Sequence, residues 1–437
     1  MTYDEAVAYL DYHAGRGIRP GLAQIQGVLD LMGDPHTTYP VVHVTGSKGK
    51  SSTSRMITAL AAAHGLSVGT YTSPHLERVE ERLAYNGRAA TTEEFAQAVA
   101  DTRAFDVLVD DDPERRLTYF EFVTAVAFAW FAERAIDLGV IEVGMGGRLD
   151  ATNVVQSSVA VVASIALEHT DYLGDTLEEI ATEKVAILKP GGSLVTGDLP
   201  PAAAAIMEAR AAELGSPYLV NGRDFRLSEE NRAVGGWDIS IDGVYELYDE
   251  IHIPVHGRHQ LHNAAVAVAA TEELLGRALD PEAVREGFAA LTLPGRIEVV
   301  GRRPLVVLDG AHTPESMDAG AAALDEEFPP FLWKVVLGSL GDKKLEELIR
   351  ALVPIAGEIF AVTAPSERGI PAVDVAAAAR AAMPDLETHE SGSVADGVRA
   401  ALAAAGEDGA VLVTGSMYVV GEARSLLAET DRSGSGD

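Results

Sequence analysis

Two rhythms of hydrophobic residues alternate along the first half of the chain. Near-continuous apolar runs at Val41–Thr45, 67–72, 138–143 and 159–165 predict strands buried on both faces. Before and between them apolar residues recur at helical spacing: Leu22, Ile25, Val28, Leu29 and Met32, then 56–63, then the Ala- and Phe-rich 122–132. Residues 2–33 read as helical, with a Gly/Pro break at 15–21. Thr176 with Glu179 three residues on predicts a capped helix that carries Lys184. Strands and helices in alternation imply a mostly parallel sheet with helical crossovers.

The rhythm changes twice. Residues 216–255 show short alternating stretches between turn residues, read as strands packed on the first unit without visible chemistry. Pro294-Gly295 then marks a hinge. Beyond it 305–308, 334–337, 359–362 and 411–413 alternate with helical segments, which predicts a second parallel α/β sheet.

The stretch with the clearest chemistry follows the first strand. Gly46-Ser-Lys-Gly49 is a glycine loop, and Lys50, Ser51, Ser52 and Thr53 open a helix. Strand, glycine loop and helix N-terminus form a phosphate cradle, with N–H groups and the helix dipole facing the anion. A hydroxyl just after the lysine suits Mg²⁺. The longer P-loop spacing requires a glycine where Val44 stands, so only a shortened loop is present. Glu142 interrupts an apolar strand next to the glycine turn 144–147. A carboxylate at the C-terminal end of such a strand lies where open α/β sheets bind ligands, and it suits Mg²⁺. Glu121, amid apolar neighbours, is read as structural.

Composition narrows the classes. The chain has 437 residues, 47% of them hydrophobic, and a net charge of −32. That charge argues against a nucleic-acid partner and requires a local positive site for any anionic substrate; it fits salt adaptation or composition drift alike. Without cysteine there is no thiolate nucleophile and no thiolate metal site. The acidic start and the shortness of the longest apolar helical run predict no leader and no membrane span, so the cytoplasm is the expected compartment. Only seven of the 34 basic residues are lysines: Lys48, Lys50, Lys184, Lys189, Lys334, Lys343 and Lys344. Where arginine has replaced lysine so widely, the survivors are candidates for chemistry that needs a compact amine.

Several motifs in order resemble the Mur ligase superfamily, and within it the folylpolyglutamate synthases and bifunctional dihydrofolate synthases. They are the shortened loop, Thr72-Ser-Pro-His with Glu81-Arg82 and Asn86-Gly87, Glu142-Val-Gly with Asp150 and Thr152-Asn153, Glu168-His169, Lys184 with Lys189-Pro-Gly, His259-Gln260 with Asn263, Arg296, Asp309-Gly-Ala-His312, and Asp342-Lys343. The chain departs from the family pattern at Ser51, Glu168 and Thr313. The resemblance implies an N-terminal P-loop-type ATPase domain at 1–295 with a mostly parallel sheet and a smaller C-terminal Rossmann-like glutamate-ligase domain at 296–430, while the Ser/Gly composition of 431–437 predicts a disordered tail. It implies ATP bound by Gly46, Ser47, Lys48, Gly49, Lys50, Ser51 and Ser52, with Gln260, Asn263, Arg296, Asp309 and His312. Two Mg²⁺ sites would draw on Ser51, Ser73, Glu142, His169 and Lys184, the last as a carbamate. Burial lowers an amine's pKa and so permits its reaction with CO₂. Lys50, Lys184 and His312 are the expected catalytic residues, and Lys343 and Ser416 the expected substrate contacts.

The implied reaction is ATP-dependent ligation of L-glutamate to tetrahydrofolate or dihydropteroate through an acyl phosphate, by a monomer without membrane or nucleic-acid partners. Two alternatives stand beside it. One is a superfamily ligase with a non-folate acceptor. The other is a nucleotide-binding ATPase that makes no product.

Overall fold

In the computed structural model the described residues are 1–17, 19–341 and 344–434. Contacts divide the chain into two units. The first comprises Met1–His75, Val79–Pro254 and Gln260–Leu291; the second comprises Leu76–Arg78, Val255–His259 and the chain from Thr292 onward.

The first unit is built on an eight-stranded sheet. Its spatial order is Arg88–Ala89, Leu83–Tyr85, Val68–Tyr71, Leu138–Glu142, Val41–Thr45, Ser157–Val162, Ser193–Thr196 and Tyr218–Val220. Val41–Thr45 is buried along its whole length and pairs in parallel on both sides, with Leu138–Glu142 and Ser157–Val162. The loops after these three strands therefore leave from one edge of the sheet. That edge gathers 46–49, 143–150 and 163–169, where ligands bind in open parallel sheets.

Helices seal the faces. Tyr119–Glu133 is fixed at its start by Thr118, whose hydroxyl caps Glu121 N–H while the Glu121 carboxylate takes the Thr118 N–H at 2.8 Å. Glu121 is thus a buried capping residue, held above the usual carboxylate range by burial. Phe122, Phe128 and Phe131 of this helix are wholly buried, and each contributes roughly 2–3 kcal/mol. The expected capping box of Thr176 and Glu179 opens the helix Leu177–Val185. Residues 216–255 contribute the edge strand Tyr218–Val220 and a separate antiparallel sheet of Arg226–Ala233, Gly236–Asp242 and Leu247–Ile253.

The second unit has a six-stranded sheet in the order Glu298–Arg302, Leu305–Asp309, Ala410–Thr414, Trp333–Leu337, Ala356–Ala361 and Glu387–Glu390. Five strands are parallel, and Glu298–Arg302 pairs antiparallel with Leu305–Asp309. Glu387-Thr-His-Glu390 has no apolar run for pattern reading to find, because it is a half-exposed edge strand. The last helix, Met417–Gly434, runs into the stretch from Asp431 where composition predicts a disordered tail. No helix among the described residues is long and apolar enough to cross a membrane.

Candidate active site

The glycine loop owes its shape to two positions. Gly46 has φ +155°, and a Cβ there would meet Lys48 O at 3.0 Å and Ser164 N at 3.1 Å. Gly49 has φ +83°, and a Cβ there would lie 2.6 Å from Asn263 Oδ1. Side chains rarely adopt such a φ, so both glycines are required by conformation and by crowding. The helix Lys50–Ala63 starts directly from Gly49 without a side-chain cap. Its first-turn N–H groups are the donors an anion would use.

Ser164, on the neighbouring loop, braces this cradle. Its hydroxyl accepts the Lys48 N–H at 2.8 Å and donates to Lys48 O at 2.9 Å, and its carbonyl accepts the Ser47 N–H. The Ser47 hydroxyl lies against Ala166 O and N. Ser47 thus shapes the loop through both its amide and its side chain. Ser52 is buried within the helix. Lys50 Nζ donates to Gly46 O at 2.7 Å, so the ammonium lies over the loop. Asn263 donates to Gln260 Oε1 at 3.0 Å, which sets this pair against Gly49. Replacing Gly49 with alanine is expected to weaken binding of a phosphate-bearing ligand roughly 100-fold through misplacement of the loop; a titration with ATP checks it, and an unchanged affinity would mean that the loop tolerates a side chain.

Glu142 is 1% exposed at the end of its strand. Ser51 Oγ donates to its Oε1 at 2.8 Å and the Ser73 N–H reaches its Oε2 at 3.2 Å. Ser51, Ser73 and Glu142 thereby come together, and the Ser51 hydroxyl and the Glu142 carboxylate are oxygen donors of the kind Mg²⁺ takes. The adjoining loop is closed by Asp150, which accepts N–H groups from Met145 and Thr152. Thr152 Oγ1 donates to Asp150 and lies 2.9 Å from His43 Nε2. Burial raises the Asp150 carboxyl and lowers His43 to about 3.

Lys184 is 1% exposed, and its Nζ lies 2.8 Å from Glu168 Oε1. The neighbouring Glu183 instead pairs with Arg148 at 2.8 Å. Burial first, and then the Lys50 charge, push the Lys184 ammonium down to about 8, against the pull of Glu168. Burial pushes Glu168 up, but Lys184 and Lys50 outweigh it and hold the carboxyl below its usual range. Lys50, Glu168 and Lys184 thus form one electrostatic group. His169 follows on the same loop with φ +46° and an exposed side chain. The His/Asp/Glu triples close enough to hold a metal among the described residues lie elsewhere, at His13, Asp106 and Asp110 and at Glu358, Glu387 and His389. His169 belongs to neither.

In the second unit, Asp309 ends its strand buried. Burial lifts its carboxyl to about 6 against the opposing charge of Arg296. Arg296 donates to Gly295 O at 3.1 Å. His312 Nδ1 lies 2.8 Å from Gly310 O, so that nitrogen carries the proton. Thr313 caps the helix Pro314–Glu327, with Ser316 reciprocating. A cap position accepts Thr or Asn alike, so the departure there is chemically mild. Ser416 is buried, and its hydroxyl accepts the Tyr418 N–H at 3.2 Å. Lys343 lies outside the described residues.

Pattern reading missed Ser164 as a brace and Glu168 as the partner of Lys184. The available signal was position: both follow a buried strand whose neighbour carries the glycine loop.

The sequence profile of the Mur ligase middle domain matches residues 44–271, and that of the Mur ligase glutamate ligase domain matches 295–417. The chain is 35% identical to the dihydrofolate synthase/folylpolyglutamate synthase of Mycobacterium tuberculosis, over 94% of this chain and 90% of that protein. Its structure is similar to that of Mycobacterium tuberculosis folylpolyglutamate synthase complexed with ADP, with TM-score 0.91 and 33% identity over 97% of this chain and 98% of the other. It is also similar to an Escherichia coli protein solved in complex with DHPP and ADP, with TM-score 0.86 and 28% identity over 99% of both chains. With both ligase domains matched and likeness along nearly its whole length, the chain belongs to the Mur ligase family, among its folylpolyglutamate synthases/dihydrofolate synthases.

Proposed function

We propose that the protein ligates L-glutamate to a folate at the expense of ATP, releasing ADP and phosphate. The observation that carries this reading is the convergence of Lys50, Ser51, Glu142, Glu168 and Lys184 at one edge of the first sheet, in a chain related end to end to folate ligases. The ADP in the related structures supports ATP as the phosphoryl donor, and the DHPP complex supports a folate-type acceptor.

A carboxylate is a poor electrophile, so it must be activated. An oxygen of the acceptor carboxylate attacks the γ-phosphorus, and the bond to the ADP oxygen breaks. The glutamate amine then attacks the acyl carbon, loses a proton, and phosphate leaves with the C–O bond electrons. The first step needs alignment and charge neutralisation more than covalent help. The 46–49 loop and the helix start bind phosphate oxygens, and Lys50 adds charge. Ser51, Ser73 and Glu142 would hold Mg²⁺, with His169 and a carbamylated Lys184 at a second site. Bound there, the ion neutralises charge on the transferring phosphoryl group. Glu168 holds the Lys184 amine in place before it is modified. Gln260 and Asn263 face the nucleotide from the side of Gly49. By the family resemblance Arg296, Asp309 and His312 are further nucleotide residues, and Lys343 and Ser416 are substrate residues.

Glutamate incorporation tests the reading, with dihydropteroate and tetrahydrofolate compared as acceptors. Phosphate release should depend on both glutamate and a folate. Release that requires glutamate with a different acid would favour a non-folate ligase, and release that requires neither would remove the ligase reading.

A further inference from the structure

We propose that Arg82 is the anion anchor that receives the reacting carboxylate of the acceptor. The inference rests on the ligase reading above. Arg82 ends the short turn Val79–Arg82 and is only 8% exposed. Among the described residues its guanidinium pairs with no carboxylate. Its Nε donates to His75 Nδ1 at 3.1 Å, and its Cζ lies 5.3 Å from the centre of the Tyr119 ring. Because His75 Nδ1 accepts, that nitrogen carries no proton. Arg16, equally withdrawn from solvent, is by contrast paired with Asp110 at 2.7 Å.

A buried cation without an anion is costly, so it needs a partner from outside the chain. Tyr119 and His75 hold Arg82 from the Nε side and from one face. The two terminal nitrogens keep their donors, in the fork that matches a carboxylate.

The location selects which carboxylate. The Arg82 carbonyl accepts the Thr72 N–H at 3.1 Å, and the next residue, Ser73, reaches Glu142 through its own N–H. On the other side Tyr119 precedes Phe120, whose ring packs so closely on Gly144 that a Cβ there would lie 2.5 Å away. Arg82 is therefore tied by two routes to the segment that carries Glu142. Nucleotide phosphates already have the glycine loop and Lys50. The acid that must meet the γ-phosphate at Glu142 is the acceptor.

The test compares dihydropteroate with its carboxamide analogue, by binding in the presence of ADP and by steady-state kinetics. Wild type should bind the acid roughly 10- to 100-fold more tightly than the amide, the range for a hydrogen bond to a charged group. Arg82→Gln should abolish that preference while leaving amide affinity and the KM for ATP unchanged; Arg82→Lys should restore part of it. Arg82→Gln that keeps the preference, or that weakens acid and amide alike, overturns the assignment and leaves the ligase reading intact. Wild type that binds neither compound and incorporates no glutamate removes both.

Discussion

Replacement of Glu142 by alanine should cut the rate of glutamate ligation by about 1000-fold, the scale of a lost metal-borne charge in phosphoryl transfer. The buried carboxylate receives Ser51 Oγ and the Ser73 N–H, so its removal takes away the charge that would hold Mg²⁺ between them. Binding of ADP without magnesium should persist, because the glycine loop and Lys50 do not depend on Glu142. The magnesium concentration for half-maximal activity should rise in Glu142→Gln, which keeps the shape and loses the charge. A titration of activity against magnesium checks both variants, and ordinary turnover by either would place the metal elsewhere.

Lys184→Ala should lose at least about 100-fold in kcat, since it would remove the proposed carbamate and leave Glu168 without its partner at 2.8 Å. Acetate or formate should restore part of the activity by occupying the space that the proposed carbamate would fill. Lys184→Arg should respond to neither, because a guanidinium keeps its charge and forms no carbamate. Intact mass spectrometry of the wild type under CO₂ supplies a readout independent of turnover. Full activity in Lys184→Ala would end the carbamate proposal.

Lys184 also illustrates why some partners escape pattern reading. Its neighbour Glu183 is the nearer acid in sequence, yet Arg148 holds it. Glu168 becomes the partner because the loop after Ser157–Val162 and the helix Leu177–Val185 meet at one edge of the sheet. Arg82 follows the same logic. Its motif is visible, but its lack of a carboxylate partner among the described residues is a property of everything around it. Glu121 shows the reverse case, since a capping box spans only three residues and is written locally.

Local periodicity and spacing by themselves determined the central strands, the glycine loop and its helix, the cap at Thr176 and the acid at Glu142. Each depends on residues within a few positions of one another, where strand period, helix period and cap geometry act. Tertiary structure alone decided the order of the strands, and with it which loops share an edge. It thereby set Ser164 beneath Lys48, Glu168 against Lys184 and Asn263 against Gly49. The physical reason is that burial and charge pairing are sums over neighbours in space, and the chain's own order does not name those neighbours.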